Sequence, residues 1–400
     1  MKFFVKTFGC IQNTADSQRL RFFYLNKGFE EVKNWKEADL VIINSCIVRE
    51  SAENRVYGLI NEIDKYNQRT NPSVDKSTSP LPENATHYAL QAGLKKGRSL
   101  KTIKIIVTGC LAGLADKSKN KVKLKQLKRD FPTVSKFLPI ENFPTEMKPL
   151  RDNKDVALVP ISFGCSNFCS YCIVPFARGA ERSREMKDIL NEIDEVIKQG
   201  FRKIMLIGQN VNSYLDSKPL INSPLDEREN TRYVVHMGKR RLQSSFPKLL
   251  EEVAKKELEK ISFVSSNPWD FSDELIDTIA KHPNIDRLLH LPFQAGDDGV
   301  LKKMNRGYTA KEYLNLVKKI RSKVPDVRFS TDIIIGFPGE DEKAFKNTVE
   351  LCKKVNFEIA YLNKYSPRKG TVSAKIYKDD IPMKEKKERW EILNKLINKT

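Results

Sequence analysis

No stretch of this 400-residue chain is apolar for long enough to cross a membrane. Its start, Met1-Lys2-Phe3-Phe4-Val5-Lys6, meets a charge before a secretory signal core can form. Membrane-spanning and secreted classes are set aside, no membrane partner is expected, and the expected location is the cytoplasm. Histidine is scarce: His87, His236, His282 and His290 are the only four, and each stands alone. Acidic residues are also in deficit, 51 against 71 lysines and arginines, which leaves a formal charge of +20 spread along the chain. That balance suits either a polyanionic partner or a generally basic surface. The length exceeds one ordinary core, so two or three domains are expected.

Cysteine is sparse as well, seven in all, yet three lie in Gly164-Cys165-Ser166-Asn167-Phe168-Cys169-Ser170-Tyr171-Cys172, spaced Cys-x3-Cys-x2-Cys. The apolar run Val156–Phe163 leads into them and reads as a strand. Thiolates crowded in a chain without secretion signals hold soft metal rather than pair as disulfides. Structural zinc brings ligands in two pairs, and no second cysteine or histidine pair is present. Three thiolates leave one iron of a four-iron cluster without a protein ligand, and that iron is open to a substrate or cofactor.

The other cysteines repeat a placement. Lys2–Thr7 reads as a strand ending near Cys10, with Asn13–Ser17 as capping side chains for a helix whose apolar face is Leu20, Phe22, Phe23 and Leu25. Asp39–Asn44 is a buried-type strand ending at Cys46, followed by a helix over 51–65. Ile103–Gly109 is a third strand, ending at Cys110. In an open parallel sheet the strand C-terminal ends share one edge, where ligands bind. Cys10, Cys46 and Cys110 therefore either converge as a second three-thiol site or are three small buried residues. Cys352, inside a helical pattern, reads as core.

From Val156 onward, buried strands alternate with helices in about six units, which predicts a parallel sheet curled into a full or partial barrel with chemistry at its strand C-terminal ends. The fold class expected is α/β, an open parallel domain over 1–141 followed by a partial (β/α)6 barrel over 155–380. A linker over 142–154, surface insertions at 67–100 and 215–245, and a charged amphipathic helix within 381–400 complete the division.

The Cys165-x3-Cys169-x2-Cys172 signature with Tyr171 resembles that of the radical S-adenosylmethionine enzymes. The pieces Thr7-Phe8-Gly9-Cys10, Asn44-Ser45-Cys46 and Thr108-Gly109-Cys110 resemble the methylthiotransferase domain. Cys172–Arg184, Gly208–Tyr214, Leu291–Gly296, Met304–Arg306, Thr331–Glu340 and Tyr365–Thr371 are similar to the methylthiotransferase branch acting on isopentenyladenosine beside the tRNA anticodon.

The resemblance implies two [4Fe-4S] clusters and S-adenosyl-L-methionine. Cys165, Cys169 and Cys172 hold the cluster that cleaves the cofactor to a 5′-deoxyadenosyl radical, and Cys10, Cys46 and Cys110 hold the cluster associated with sulfur. It implies insertion of a methylthio group at C2 of N6-isopentenyladenosine in the tRNA anticodon stem-loop, with a cellular electron donor and a sulfur donor as further partners. Sister activities are methylthiolation of threonylcarbamoyladenosine in tRNA or of a ribosomal-protein aspartate. A non-catalytic iron–sulfur electron carrier or RNA-binding protein is the alternative of another class.

Tyr171, Gly208, Gln209, Asn210, Gln294, Asp332 and Gly336 are the candidate cofactor contacts, with Gly339 beside them. Arg178, Arg182 and Arg368 are the candidate substrate contacts, beside Arg184 and Arg306. Glycine after a strand is also an ordinary turn former. Each polar candidate has a bland reading as a satisfied structural group. Family members usually carry a small β-rich TRAM domain at the C-terminus, and none is expected in this sequence.

Overall fold

The computed structural model describes residues 1–48, 50–70, 102–117, 122–143, 149–151, 155–216, 233–236 and 239–399. They fall into two compact units, Met1–Leu150 and Arg151–Thr400.

The first unit is built on five parallel strands, β1 (Lys2–Phe8), β2 (Glu30–Glu31), β3 (Leu40–Ser45), β4 (Lys104–Gly109) and β5 (Val134–Phe137), in the order β2-β1-β3-β4-β5. Every residue of β3 is buried, as the apolar run of a central parallel strand requires. The register sets Phe8 opposite Ser45, and Ser45 opposite Gly109, so β1, β3 and β4 end level. Cys10, Cys46 and Cys110 follow within two residues of those ends.

Three details differ from expectation. The first helix spans Ile11–Asn26 with Cys10 at its N-cap and no side-chain cap bond, so Asn13, Asp16 and Ser17 are buried inside it rather than capping it. Its core stripe is Leu20 and Tyr24, one turn apart, and Leu25 turns outward. The second helix, Glu50–Thr70, runs past the expected start of the insertion. Asn67 accounts for this, because its amide donates to Ile103 O and accepts from Ile103 N, both at 3.0 Å, pinning the helix end to the start of β4. Residues 71–100 of the expected insertion lie outside the described residues, as do 144–148 and 152–154 of the expected linker.

In the second unit the run before Cys165 divides. β6 (Ala157–Pro160) stays in a parallel sheet, while β7 (Ser162–Phe163) pairs antiparallel with β8 (Arg182–Ser183). Pro160 has no N–H to extend the ladder, which favours the break there. β9 (Lys203–Ile207) follows, then a hairpin of β10 (Tyr233–His236) and β11 (Lys239–Leu242). That hairpin lies within the expected insertion over 215–245, of which 217–232 and 237–238 are outside the described residues. β12 (Lys260–Phe263), β13 (Leu288–His290), β14 (Arg328–Ile335) and β15 (Ile359–Lys364) complete the series.

The sheets β6-β9-β12 and β13-β14-β15 are each parallel and are joined by a parallel bridge between Ile261 and Ile285. Six strands in chain order, open between β6 and β15, make the partial barrel that the β/α alternation predicts. The helix that follows β11 spans Phe246–Ala254. Cys352 is a core residue, 2% exposed. No helix of the described residues is long and apolar enough to cross a membrane.

Candidate functional site

The cysteine loop of the barrel leaves β7 through Gly164, whose φ is +77°. A Cβ there would meet Ala180 O at 2.3 Å and Gly179 O at 2.6 Å, so glycine alone fits. Gln209 receives the Gly164 N–H at 2.7 Å, and Cys165 N donates to Gly179 O. On the other side Ser170 N donates to Met304 O, Ser170 Oγ donates to Lys303 O, and Asn305 Nδ2 donates to Phe168 O. A turn from Cys172 N to Cys169 O closes the loop. Eight residues carrying three thiols are thereby held from both flanks.

The thiols stand in each other's field. Burial pushes Cys165 up to about 12, with the Cys169 thiolate adding to it. Cys172 is raised by burial first, then by Cys169 and Cys165. Burial of this kind favours the neutral thiols, so ligation as thiolates requires a compensating cation. Arg306 supplies part of it, with Nη1 3.5 Å from Cys169 Sγ and its guanidinium 4.8 Å from the Trp269 ring centroid.

Among the described residues no three His, Cys, Asp or Glu side chains stand at the spacing of a single metal ion. A four-iron cube holds its thiolates on separate irons, so the donor set fits a cluster with one iron left open. A second polar feature lies beyond β9 and β12. Asn210 Oδ1, both amide atoms of Asn212, Ser266 Oγ and Asn267 Oδ1 are buried without protein partners. Each such atom costs about 1–3 kcal/mol, and a polar cofactor would satisfy them together.

Sequence reasoning assigned no role to two side chains here. Glu181 is held by Ser213 Oγ, and burial raises its carboxyl to about 7 with Asp270 adding to the rise. Asp270 receives Asn210 Nδ2 at 2.6 Å. Glu181 falls within the quoted Cys172–Arg184 stretch without being singled out, and Asp270 lies outside every quoted motif. Arg306, read as a substrate contact, stands against the Cys169 thiol.

The remaining candidates divide. Gln209 and Asn210 belong to this region, but Gln209 is used by Gly164. Gln294 has φ +69° and bridges β14 through backbone bonds to Asp332 and Ile334. Asp332 Oδ2 lies 3.1 Å from His290 Nε2, an ion-pair distance without hydrogen-bond alignment, while His290 Nδ1 accepts from Ser265 N.

Gly208 and Gly336 are explained by packing within the protein. A Cβ at Gly208 would meet Ser162 Oγ at 2.5 Å, and one at Gly336 would meet the Lys386 stem at 2.4 Å. Gly339 likewise faces Lys303 Nζ at 2.1 Å. Tyr171 packs half-buried against the barrel core. Arg178 is buried, Arg368 half-buried and Arg182 exposed. Arg184 is structural, with Nη1 bonded to Pro160 O and to Glu192, which also pairs with Arg151.

In the first unit Cys46 and Cys110 are buried and Cys10 is exposed. The loops that carry them are tied by buried amides. Asn13 Nδ2 donates to Asn44 Oδ1 at 2.9 Å and to Ser45 O, and Asn44 Nδ2 returns a bond to Asn13 O and another to Ser17 Oγ. Cys10 Sγ lies 3.4 Å from Asn13 Oδ1, and Ser45 Oγ donates to Thr108 O at 2.5 Å. Gly109, at φ +80°, has Asn44 Oδ1 only 2.4 Å from where a Cβ would stand. Asn44→Leu is expected to leave buried donors unmet and to lower stability by about 1–3 kcal/mol. Urea unfolding of the variant checks this, and an unchanged midpoint would refute the tie.

The geometry has counterparts in known proteins. A family described as the radical SAM superfamily matches residues 159–352, and one described as "Uncharacterized protein family UPF0004" matches residues 2–75. The tRNA-2-methylthio-N(6)-dimethylallyladenosine synthase of Thermotoga petrophila is 39% identical over 404 residues, spanning 99% of this chain and 81% of that protein. Its namesake from Clostridium perfringens is 37% identical over 399 residues, spanning 99% and 82%. Among solved structures, the radical S-adenosylmethionine methyltransferase TsrM from Kitasatospora setae has a TM-score of 0.53 at 11% identity over 93% of this chain and 74% of that chain, a likeness of fold. With relatives aligned along nearly its whole length, the chain belongs to the family of the tRNA-2-methylthio-N(6)-dimethylallyladenosine synthases and is a radical S-adenosylmethionine methylthiotransferase.

Proposed function

We propose that this enzyme inserts a methylthio group at C2 of N6-isopentenyladenosine beside the anticodon of tRNA, in the cytoplasm, supplied by a cellular electron donor and a sulfur donor. The observation that carries the reading is two sets of three cysteines, Cys10, Cys46 and Cys110 just after the level ends of β1, β3 and β4, and Cys165, Cys169 and Cys172 in the loop that leaves β7. When bound, the clusters supply reductive cleavage of S-adenosyl-L-methionine at Cys165, Cys169 and Cys172 and a sulfur-bearing centre at Cys10, Cys46 and Cys110.

The chain's own residues do the positioning. Arg306 balances thiolate charge at Cys169, and the buried amides beyond β9 and β12 offer hydrogen bonds to a polar cofactor. The Glu181 carboxyl suits the methionine ammonium.

Anaerobic reconstitution is expected to load about eight irons in two four-iron clusters. Iron and sulfide analysis checks this, and saturation at about four would count against the reading. Nucleoside mass analysis of tRNA from cells lacking the protein is expected to show isopentenyladenosine without its methylthio group. Loss confined to the threonylcarbamoyl nucleoside would move the substrate to the sister activity.

A further inference from the structure

A groove of about 570 Å³ runs between β1 and the helix Glu50–Thr70 of the first unit. On the strand side it is lined by Phe4, Lys6 and Phe8, alternate residues that share one face. β2 pairs only with Lys2 and Phe3, so from Phe4 onward that edge of β1 carries no strand among the described residues. Trp35 closes one end, its ring edge-on to Tyr66 at 5.3 Å and Lys36 Nζ 5.6 Å from its centroid. At the other end two cations flank one ring, Lys6 Nζ 5.9 Å and the Arg55 guanidinium 5.7 Å from the Phe8 centroid. Phe8 stands two residues before Cys10.

The helical wall holds an anomaly. Gly58 lies in the helix interior, where glycine weakens the helix relative to alanine. An added Cβ would meet nothing within 4 Å, so no neighbour among the described residues demands it. Its effect is to leave the groove open on that wall. Aromatic faces with cations beside them are the means by which proteins hold single-stranded nucleic acid, bases stacking on rings and phosphates meeting Lys or Arg. The chain's excess of 20 positive charges favours the same partner. Glu62 is the one acid along the groove, two helical turns from Arg55.

We propose that this groove is an RNA-binding surface. It takes an unpaired or loop segment of the substrate, with bases stacked on Trp35 and Phe8 and backbone phosphates on Lys6 and Arg55, so that the strand is led toward the Cys10 end of β1. The inference rests on the tRNA reading above and adds to it where the RNA is gripped.

The test is binding of a fluorescently labelled anticodon stem-loop RNA to the anaerobically reconstituted full chain. Trp35→Ala is expected to weaken binding by about 5- to 100-fold. Lys6→Ala and Arg55→Ala are each expected to reduce the slope of log affinity against log salt by about one. Gly58→Leu separates groove from fold, since it should raise the unfolding midpoint, leave 5′-deoxyadenosine formation unchanged, and weaken RNA binding about tenfold or more.

Wild-type affinity in all four variants would overturn the proposal. So would unchanged RNA affinity with slowed reduction by an acidic electron-transfer protein, which would make the groove a protein-docking face. Failure of the wild-type chain to bind the RNA at all would overturn the substrate reading together with this one.

Discussion

Cys165→Ala is expected to reduce 5′-deoxyadenosine formation to the background without enzyme, whereas Cys46→Ala retains it and forms no methylthiolated nucleoside. The two units have separate sheets and cores. Each substitution replaces a small buried side chain, a loss the surrounding core tolerates at about 1 kcal/mol. Each variant is also expected to lose about four irons on reconstitution, which tells cluster loss from unfolding. If both variants lost both activities while keeping their folds, the division of labour between the sites would be refuted.

The second large effect lies on the C-terminal helix, Met383–Ile397. Arg389 is 3% exposed, bonded through Nη1 to Glu340 O at 2.7 Å and Glu340 Oε2 at 3.0 Å, with Glu385 on its other nitrogen. Glu340 Oε2 also receives Gly336 N at 2.7 Å, so the carboxylate locks the turn after β14. Arg389→Met leaves this buried carboxylate unpaired and is expected to cost about 3–5 kcal/mol near pH 8.

The pH dependence has a definite sign. Burial already raises Glu340 from its usual 4.5 to about 7 against the pull of Gly336 and Arg389. Its contribution to stability is fullest below pH 4.5 and is lost as pH rises through 7. Removing the arginine deepens that loss, so the variant should be far weaker at pH 8 than at pH 5, where the carboxyl is protonated. Arg389→Met with Glu340→Gln should recover much of the deficit. Anaerobic urea titrations at both pH values read this directly, and an equal deficit at both would contradict the unpaired-charge account.

The strands that precede Cys10, Cys46, Cys110 and Cys165 were legible because their apolar runs announce them, and level ends of β1, β3 and β4 need only a parallel sheet. Contacts between remote segments were not. Arg306 and Cys169 are 137 residues apart, and nothing local to either specifies the other. Asn13, Asp16 and Ser17 look like helix caps because short polar side chains favour caps. In the fold Asn13 and Ser17 bond Asn44, a pairing that exists only once the sheet has formed, while Asp16 pairs with Arg19 one turn along its own helix.

Gly336 shows the same limit. Its need for a missing Cβ was visible, but the neighbour is Lys386, half a hundred residues on, in a helix whose charges read as solvent-facing. Lys386 is 1% exposed and bonds Asp379 at 2.6 Å and Tyr365 O at 3.1 Å. Long cations with buried stems are misread by any pattern that counts charge as surface.

The level ends of β1, β3 and β4 carry a consequence for assembly. Cys165, Cys169 and Cys172 close a loop of eight residues, so even a chain that has not folded can bring those thiols together at small entropic cost. Cys10, Cys46 and Cys110 share one sheet edge only after three strands have paired in register, because that alignment is a property of the finished sheet. Iron offered to a refolding chain should therefore be captured at the barrel loop first, and the second centre should fill only after its own scaffold has closed.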